Sequence, residues 1–103
     1  MLKLIATGNV GKDAEFKQIS ESKTLVSFDI ANTKTWKNAK GEKQDKTTWV
    51  TCNMWGSKEG IISVLKKGKQ VLVQGEPDVN AWANKEGKAK GQLIINVSDF
   101  ELL

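Results

Sequence analysis

With 103 residues, 39% of them hydrophobic and 27% charged, the chain has room for one compact domain, too little for two, and the composition of a folded rather than a disordered protein. No apolar run approaches the roughly 20 residues that span a bilayer, the opening Met1-Leu2-Lys3-Leu4-Ile5-Ala6 lacks the apolar stretch of a signal peptide, and the single cysteine, Cys52, excludes an intramolecular disulfide, so a cytoplasmic location and no membrane partner are expected. The net charge of +4 is unevenly placed: residues 1 to 33 set four lysines against four acids, residues 34 to 58 six against two, and residues 66 to 90 six against three.

The chain reads as strands divided by glycine-containing turns. The first strand is expected over about residues 2 to 8, with Gly11 in the following turn and residues 16 to 19 continuing the sheet after a bend. The second, about residues 24 to 35, alternates Val26, Phe28 and Ile30 with Ser27 and Asp29, a period of two. Residues 37 to 46 form a polar loop around Gly41, and the third strand covers about residues 47 to 55. Ser57 is placed to cap a short α-helix over residues 58 to 67 that Gly68 stops, with Ile61, Ile62, Val64 and Leu65 on its buried face. The fourth strand runs over about residues 70 to 82, with Pro77 marking an edge or bulge. A second basic loop at residues 84 to 91 leads into the fifth strand at about residues 92 to 102.

Three strands, a helix and two strands make a single all-β domain over residues 1–103: a five-stranded barrel with one short α-helix between strands 3 and 4. Another small α+β arrangement is the alternative. The alternation puts Val26, Phe28, Ile30, Val50, Cys52, Met54, Val71, Val73, Leu93, Ile95 and Val97 in the core, with Leu72, Ile94 and Phe100 in the opposite phase. The glycines at 8, 11, 56, 68 and 75 are assigned to tight turns or close backbone approach.

The chemistry concentrates in Thr48-Trp49-Val50-Thr51-Cys52-Asn53-Met54-Trp55-Gly56. One side of this strand receives Val50, Cys52 and Met54. The other receives Trp49, Thr51, Asn53 and Trp55, two large rings with hydrogen-bonding groups between them, which suits a solvent-facing stacking platform better than a core. Trp36 leads into one lysine-rich loop and Trp82 into the other, so if both loops extend from the same barrel face each offers a ring for a base and ammonium groups for phosphates. The candidate phosphate contacts are Lys34, Lys37, Lys40, Lys43, Lys46, Lys58, Lys85, Lys88 and Lys90. All 16 basic residues are lysine, a composition suited to attracting a polyanion and poorly equipped for base-edge readout by arginine. The alternatives are that the lysines only solubilise the surface and the tryptophans pack between subunits.

Catalysis has little footing. There is no histidine, a lone cysteine builds no zinc site, no Walker-type glycine spacing occurs, and Asp99 and Glu101 are an isolated carboxylate pair. No enzymatic activity, metal or other cofactor is expected. Cys52 falls on the apolar side of its strand as a small core residue.

These segments resemble the bacterial single-stranded DNA-binding protein family over nearly the whole chain. The likeness is carried by Leu4-Ile5-Ala6-Thr7-Gly8-Asn9-Val10-Gly11-Lys12-Asp13, by Phe28-Asp29-Ile30-Ala31-Asn32 through Trp36, and by Gly41-Glu42-Lys43. Thr48-Trp49 to Trp55-Gly56 and Leu65-Lys66-Lys67-Gly68-Lys69-Gln70-Val71 through Gly75 complete it. The resemblance implies an oligonucleotide-binding (OB-fold) barrel that assembles as a homotetramer, with a dimer as the alternative, and that protects single-stranded DNA in replication, recombination and repair. It matches Trp36, Trp49 and Trp82 to the family's stacking tryptophans, and Trp55 to a stacking position usually held by phenylalanine. Three departures stand out, one being that this chain offers only lysines where the family's second DNA-facing region often begins with arginine. Val50 replaces a histidine often found at a subunit interface, and the sequence ends at Leu102-Leu103 where the family continues into an acidic tail, so no tail-dependent partner carries over. A tail-less primosomal protein on the same barrel, acting through protein contacts, is the looser likeness.

Overall fold

The computed structural model describes all 103 residues, 1–103. Its elements are β1 (Leu4–Val10), β2 (Glu15–Ser20), β3 (Lys23–Lys37), β4 (Lys43–Trp55), a 3₁₀ turn (Glu59–Ser63), β5 (Gln70–Ala83) and β6 (Ala89–Leu102). They form one six-stranded sheet in the order β1-β5-β6-β4-β3-β2, which closes on itself because β1 also pairs with β3. The closed sheet is all-β and consistent with an OB-fold. The strand count is six rather than five because Glu15–Ser20 pairs along β3 as a strand of its own, Phe16 opposite Val26.

The alternation read from the sequence builds the core. Val26, Phe28 and Ile30 stand opposite Met54, Cys52 and Val50, and Ile95 lies beside Cys52 in the parallel β4–β6 pairing. All seven are buried, with Val71 and Val73 from β5, with Leu65 from the segment after β4 as expected, and with Val10 and Ala14 beyond the expected set. Leu93 and Val97 are partly buried against this cluster. Val50 is sealed within the chain's own core at 3% exposure.

Phe100 departs from the expected phase. The β5–β6 register slips between Gln74, opposite Asp99, and Gly75, opposite Val97, so Ser98 is an extra residue. The bulge reverses the alternation, and Phe100 packs against the same core as Val97. Gly75 permits it, since a Cβ there would collide with the Asn96 carbonyl. The bulge precedes Pro77 by two residues rather than lying on it.

The expected α-helix is replaced by the five-residue 3₁₀ turn. Ser57 caps nothing: Lys58 holds the N-terminal boundary without a side-chain hydrogen bond, and the Ser57 carbonyl accepts from Thr24 Oγ1 at 3.1 Å. Gly60, a poor helix former, lies inside the turn, and Ser63 Oγ donates back to the Gly60 carbonyl at 2.9 Å. Only Leu65 is fully buried, and Val64, expected on the buried face, is 40% exposed. Gly68 ends the segment with φ +90°, its N–H donating to the Val10 carbonyl.

Both lysine-rich loops are shorter than expected because their flanking strands run on as two-stranded arms, giving overall extents of 56 × 38 × 29 Å. Their tips share one turn. Asn38 Oδ1 accepts from the backbone N–H of Lys40 and Glu42, and Asn84 Oδ1 accepts from those of Glu86 and Lys88. Gly41 and Gly87 supply the positive φ in each.

Candidate nucleic-acid interface

The β3–β4 register runs from Leu25–Trp55 to Lys37–Lys43 without a bulge, so the faces are unambiguous. On the outward phase, Trp49, Thr51, Asn53 and Trp55 stand opposite Ala31, Asp29, Ser27 and Leu25, of which Leu25 is buried. Trp49 is 56% exposed and Trp55 45%. On the other flank β6 adds Ile94 beside Thr51 and Asn96 beside Asn53. Trp82, opposite Lys90, is in phase with Asn80 and Asp78, which pair with Gln92 and Ile94, so it extends the same face along the β5–β6 arm.

The platform is braced by hydrogen bonds that leave its rings open. Gln92 Nε2 donates to Thr51 Oγ1 at 2.7 Å, and Thr51 Oγ1 donates to Asp29 Oδ1 at 2.8 Å. Ser27 Oγ donates to Asn53 Oδ1 at 3.1 Å. Thr51 and Asn53, expected as polar contacts for a ligand, are thus partly committed to holding the sheet. Trp55 Nε1 donates to Asn96 Oδ1 at 3.1 Å, and the Lys23 ammonium lies 4.6 Å from its ring centroid, a cation–π contact that orients the indole. The outer ring edge of Trp49 rests on Gly11, where a Cβ would lie 2.5 Å from Cζ3. Lys12, Gly11 and Asp29 form the groove beside that ring.

Trp36 is placed differently. It shares the other phase of β3 with Asn32 and Lys34, facing away from the platform, and lines a groove with Asn32, Lys34, Lys46 and Thr48. Its ring is 43% exposed. The four tryptophans are therefore divided, three on one face and Trp36 on the reverse of the β3–β4 arm.

All nine candidate phosphate lysines are exposed, and neither of the two ion pairs, Lys12–Glu15 and Lys66–Asp13, uses any of them. Lys34 stands directly opposite Lys46, and Lys37 opposite Lys43. Like charges opposed across a ribbon cost stability, so these pairs favour an anion laid across them. Lys40, Lys85 and Lys88 sit on the arm tips, Lys90 beside Trp82, and Lys58 just beyond Trp55.

Two groups titrate away from their ordinary values. Asp13 is held low by the backbone N–H of Lys67, at 2.8 Å, and by the Lys66 ammonium. Burial and the Asp29 charge push the Cys52 thiol up to about 12, which leaves it a protonated core residue. No cluster of three His, Cys, Asp or Glu residues suited to a metal ion is present.

Asp29, Gln92, Lys23 and Asn96 were not among the expected site residues. For Asp29 a signal exists in the sequence: it occupies the outward phase of β3, a carboxylate near a basic aromatic face. Gln92 and Asn96 reach the platform only through the parallel β4–β6 pairing, which no local pattern announces.

The model of the single-strand binding protein family matches residues 1–103. The chain belongs to this family. Among its members it is 31% identical over 103 residues to single-stranded DNA-binding protein 1 of Chlorobaculum tepidum, covering 98% of this chain and 64% of that protein. It is 30% identical to the single-stranded DNA-binding protein of Rickettsia felis, over 95% of this chain and 66% of the relative. The chain thus spans slightly less than two thirds of these family members. In fold it is similar to a Plasmodium falciparum SSB in complex with ssDNA, at TM-score 0.75 and 23% identity, covering 100% of this chain and 95% of that one. It is also similar to a small single-stranded DNA-binding protein from Streptomyces coelicolor, at TM-score 0.76 and 21% identity, covering 99% and 94%.

Proposed function

We propose that this member of the family binds and protects single-stranded DNA with little regard to sequence, in replication, recombination and repair, and acts by binding rather than catalysis. Bases stack on Trp49, Trp55 and Trp82 along the barrel face and on Trp36 in the arm groove. Phosphates are held by Lys34, Lys37, Lys40, Lys43, Lys46, Lys58, Lys85, Lys88 and Lys90. The observation that carries this reading is four half-open indole rings, 43% to 56% exposed, each on or leading into strands whose lysines lack acidic partners. An open ring stacks any base for about 1–3 kcal/mol, and unpaired lysines bind phosphate by releasing condensed counterions. The names of the relatives, single-stranded DNA-binding proteins, support the same ligand.

A homo-oligomer, tetramer or dimer, and a cytoplasmic location belong to this reading. The exposed Ile5, at 59%, on β1 offers apolar surface for a second copy. The test is quenching of tryptophan fluorescence by oligo-dT of increasing length, paired with a light-scattering mass. Saturable quenching that weakens steeply with salt, and weak binding to duplex, is expected. Unchanged fluorescence and no complex at low salt overturn the proposal.

A further inference from the structure

The platform face carries several carboxylates, Asp78 and Glu76 on β5 and Asp45 on the β3–β4 arm among them, and Asp29 is the one that lines the groove beside the Trp49 ring. Asp29 sits on the platform between the Trp49 and Trp55 ends of the row, half-buried, and neither ion pair of the structure neutralises it. Lys12, in the same groove, is paired with Glu15 at 3.6 Å. The carboxylate is held in place: Oδ1 accepts the Thr51 hydroxyl at 2.8 Å, and that hydroxyl is in turn oriented by Gln92. One lone pair of Oδ1 and both of Oδ2 remain to accept further hydrogen bonds. Asp29 lines one groove with Gly11, Lys12 and the Trp49 ring, so the edge of a base stacked on that ring can meet the carboxylate.

Resting on the single-strand reading above, we propose that Asp29 reads the edge of the base stacked on Trp49 and favours bases with an exocyclic amino group over uracil and thymine. A carboxylate only accepts hydrogen bonds. Cytosine, adenine and guanine each offer an amino donor at the edge. Uracil and thymine offer one N–H flanked by two carbonyl oxygens, which the carboxylate repels. The result is a preference at one position of an otherwise sequence-tolerant binder, and it depends on this chain's having aspartate at position 29.

The cleanest probe is a pair of oligomers, oligo-dC and oligo-dU of equal length. They differ in the 4-amino against the 4-oxo group and in the proton on N3, and neither carries the thymine methyl. Titrated at pH 8, where cytosine is unprotonated, the protein is expected to bind oligo-dC about five- to tenfold more tightly than oligo-dU. Asp29→Asn, whose amide both donates and accepts, is expected to bring that ratio close to one while tightening binding to oligo-dU. Lys34→Ala is expected to weaken both oligomers and leave the ratio unchanged. Equal affinities in the wild-type protein overturn the proposal whether or not the Asp29→Asn variant folds, and leave single-strand binding standing. The same wild-type preference persisting in a folded Asp29→Asn variant also overturns it. Failure of both oligomers to bind at low salt overturns the single-strand reading itself.

Discussion

The platform around Trp49 and the groove around Trp36 lie on opposite faces of the same two strands and are built on opposite terms. Behind Trp49 and Trp55 the inward phase of β4 is core, with Val50, Cys52 and Met54 all buried, and side-chain hydrogen bonds fix the outward phase. Around Trp36 the core has ended: every residue of β3 from Asn32 to Lys37 is exposed, and the groove is flanked by two opposed lysines. A ring backed by a packed barrel loses little freedom when a base lands on it. A ring on a two-stranded arm has more to lose, because such a ribbon is marginal alone. If both sites take a single strand, the platform needs no ordering by the ligand, whereas the arm, held by strand pairing outside the core, is expected to gain order from it.

The largest effect that tests this contrast is Trp49→Ala. Loss of one stacked base predicts binding weakened by about 5- to 150-fold, with the thermal midpoint little changed because the ring is more than half exposed. Trp36→Ala is expected to cost several-fold less, by fluorescence or anisotropy titration at fixed salt. Equal losses at the two sites break the comparison. Gly11→Ala is expected to fall between them. A Cβ at 2.5 Å from Trp49 Cζ3 forces the ring off its seat without removing it, so affinity falls while tryptophan emission shifts.

The opposed lysines sharpen the other half. Lys34→Ala combined with Lys46→Ala is expected to lower the slope of log K against log salt by about 1.4, two phosphates at roughly 0.7 each. The same change leaves folding stability equal or raises it by a few tenths of a kcal/mol, since a like-charged cross-strand pair is relieved. A variant that loses both affinity and stability contradicts the view that the arm keeps this repulsion for its ligand.

Much of this was legible in the sequence where one strand carries its own information. The period of two in Val26, Phe28 and Ile30, and again in Val50, Cys52 and Met54, defined both the core and the outward row of Trp49 to Trp55. Legibility stopped where position depends on pairing. Trp36 reads like the other tryptophans beside its lysines, and only the unbroken β3–β4 register puts it on the reverse face. Phe100 changed phase through a bulge that Gly75 permits in another strand. The helix gave way to a 3₁₀ turn around Gly60, next to a Ser57 carbonyl that accepts from Thr24, 33 residues away in the chain. The shared Asn-x-x-Gly turn of the two arm tips stands in the sequence at Asn38-Ala39-Lys40-Gly41 and Asn84-Lys85-Glu86-Gly87.

The smallest expected effect concerns Cys52, which lies directly behind the platform and nowhere near the arm tips. It is fully buried, and its thiol is pushed up to about 12 from an ordinary 9.0. A group whose folded-state pKa is raised contributes stability that is fully present below the unfolded value. As pH climbs from about 9 the unfolded chain gains by ionising the thiol while the folded chain resists, so this contribution is lost progressively up to about 12. At pH 8 a thiol reagent is expected to leave native Cys52 unmodified and to react fully in denaturant. Opening of the arms does not expose it, so shortening the β3–β4 tip leaves the native rate unchanged. Rapid labelling of the native protein at pH 8 means that the barrel beneath Trp49 opens as readily as the arms do, and the distinction between a prepared face and a pliant one disappears.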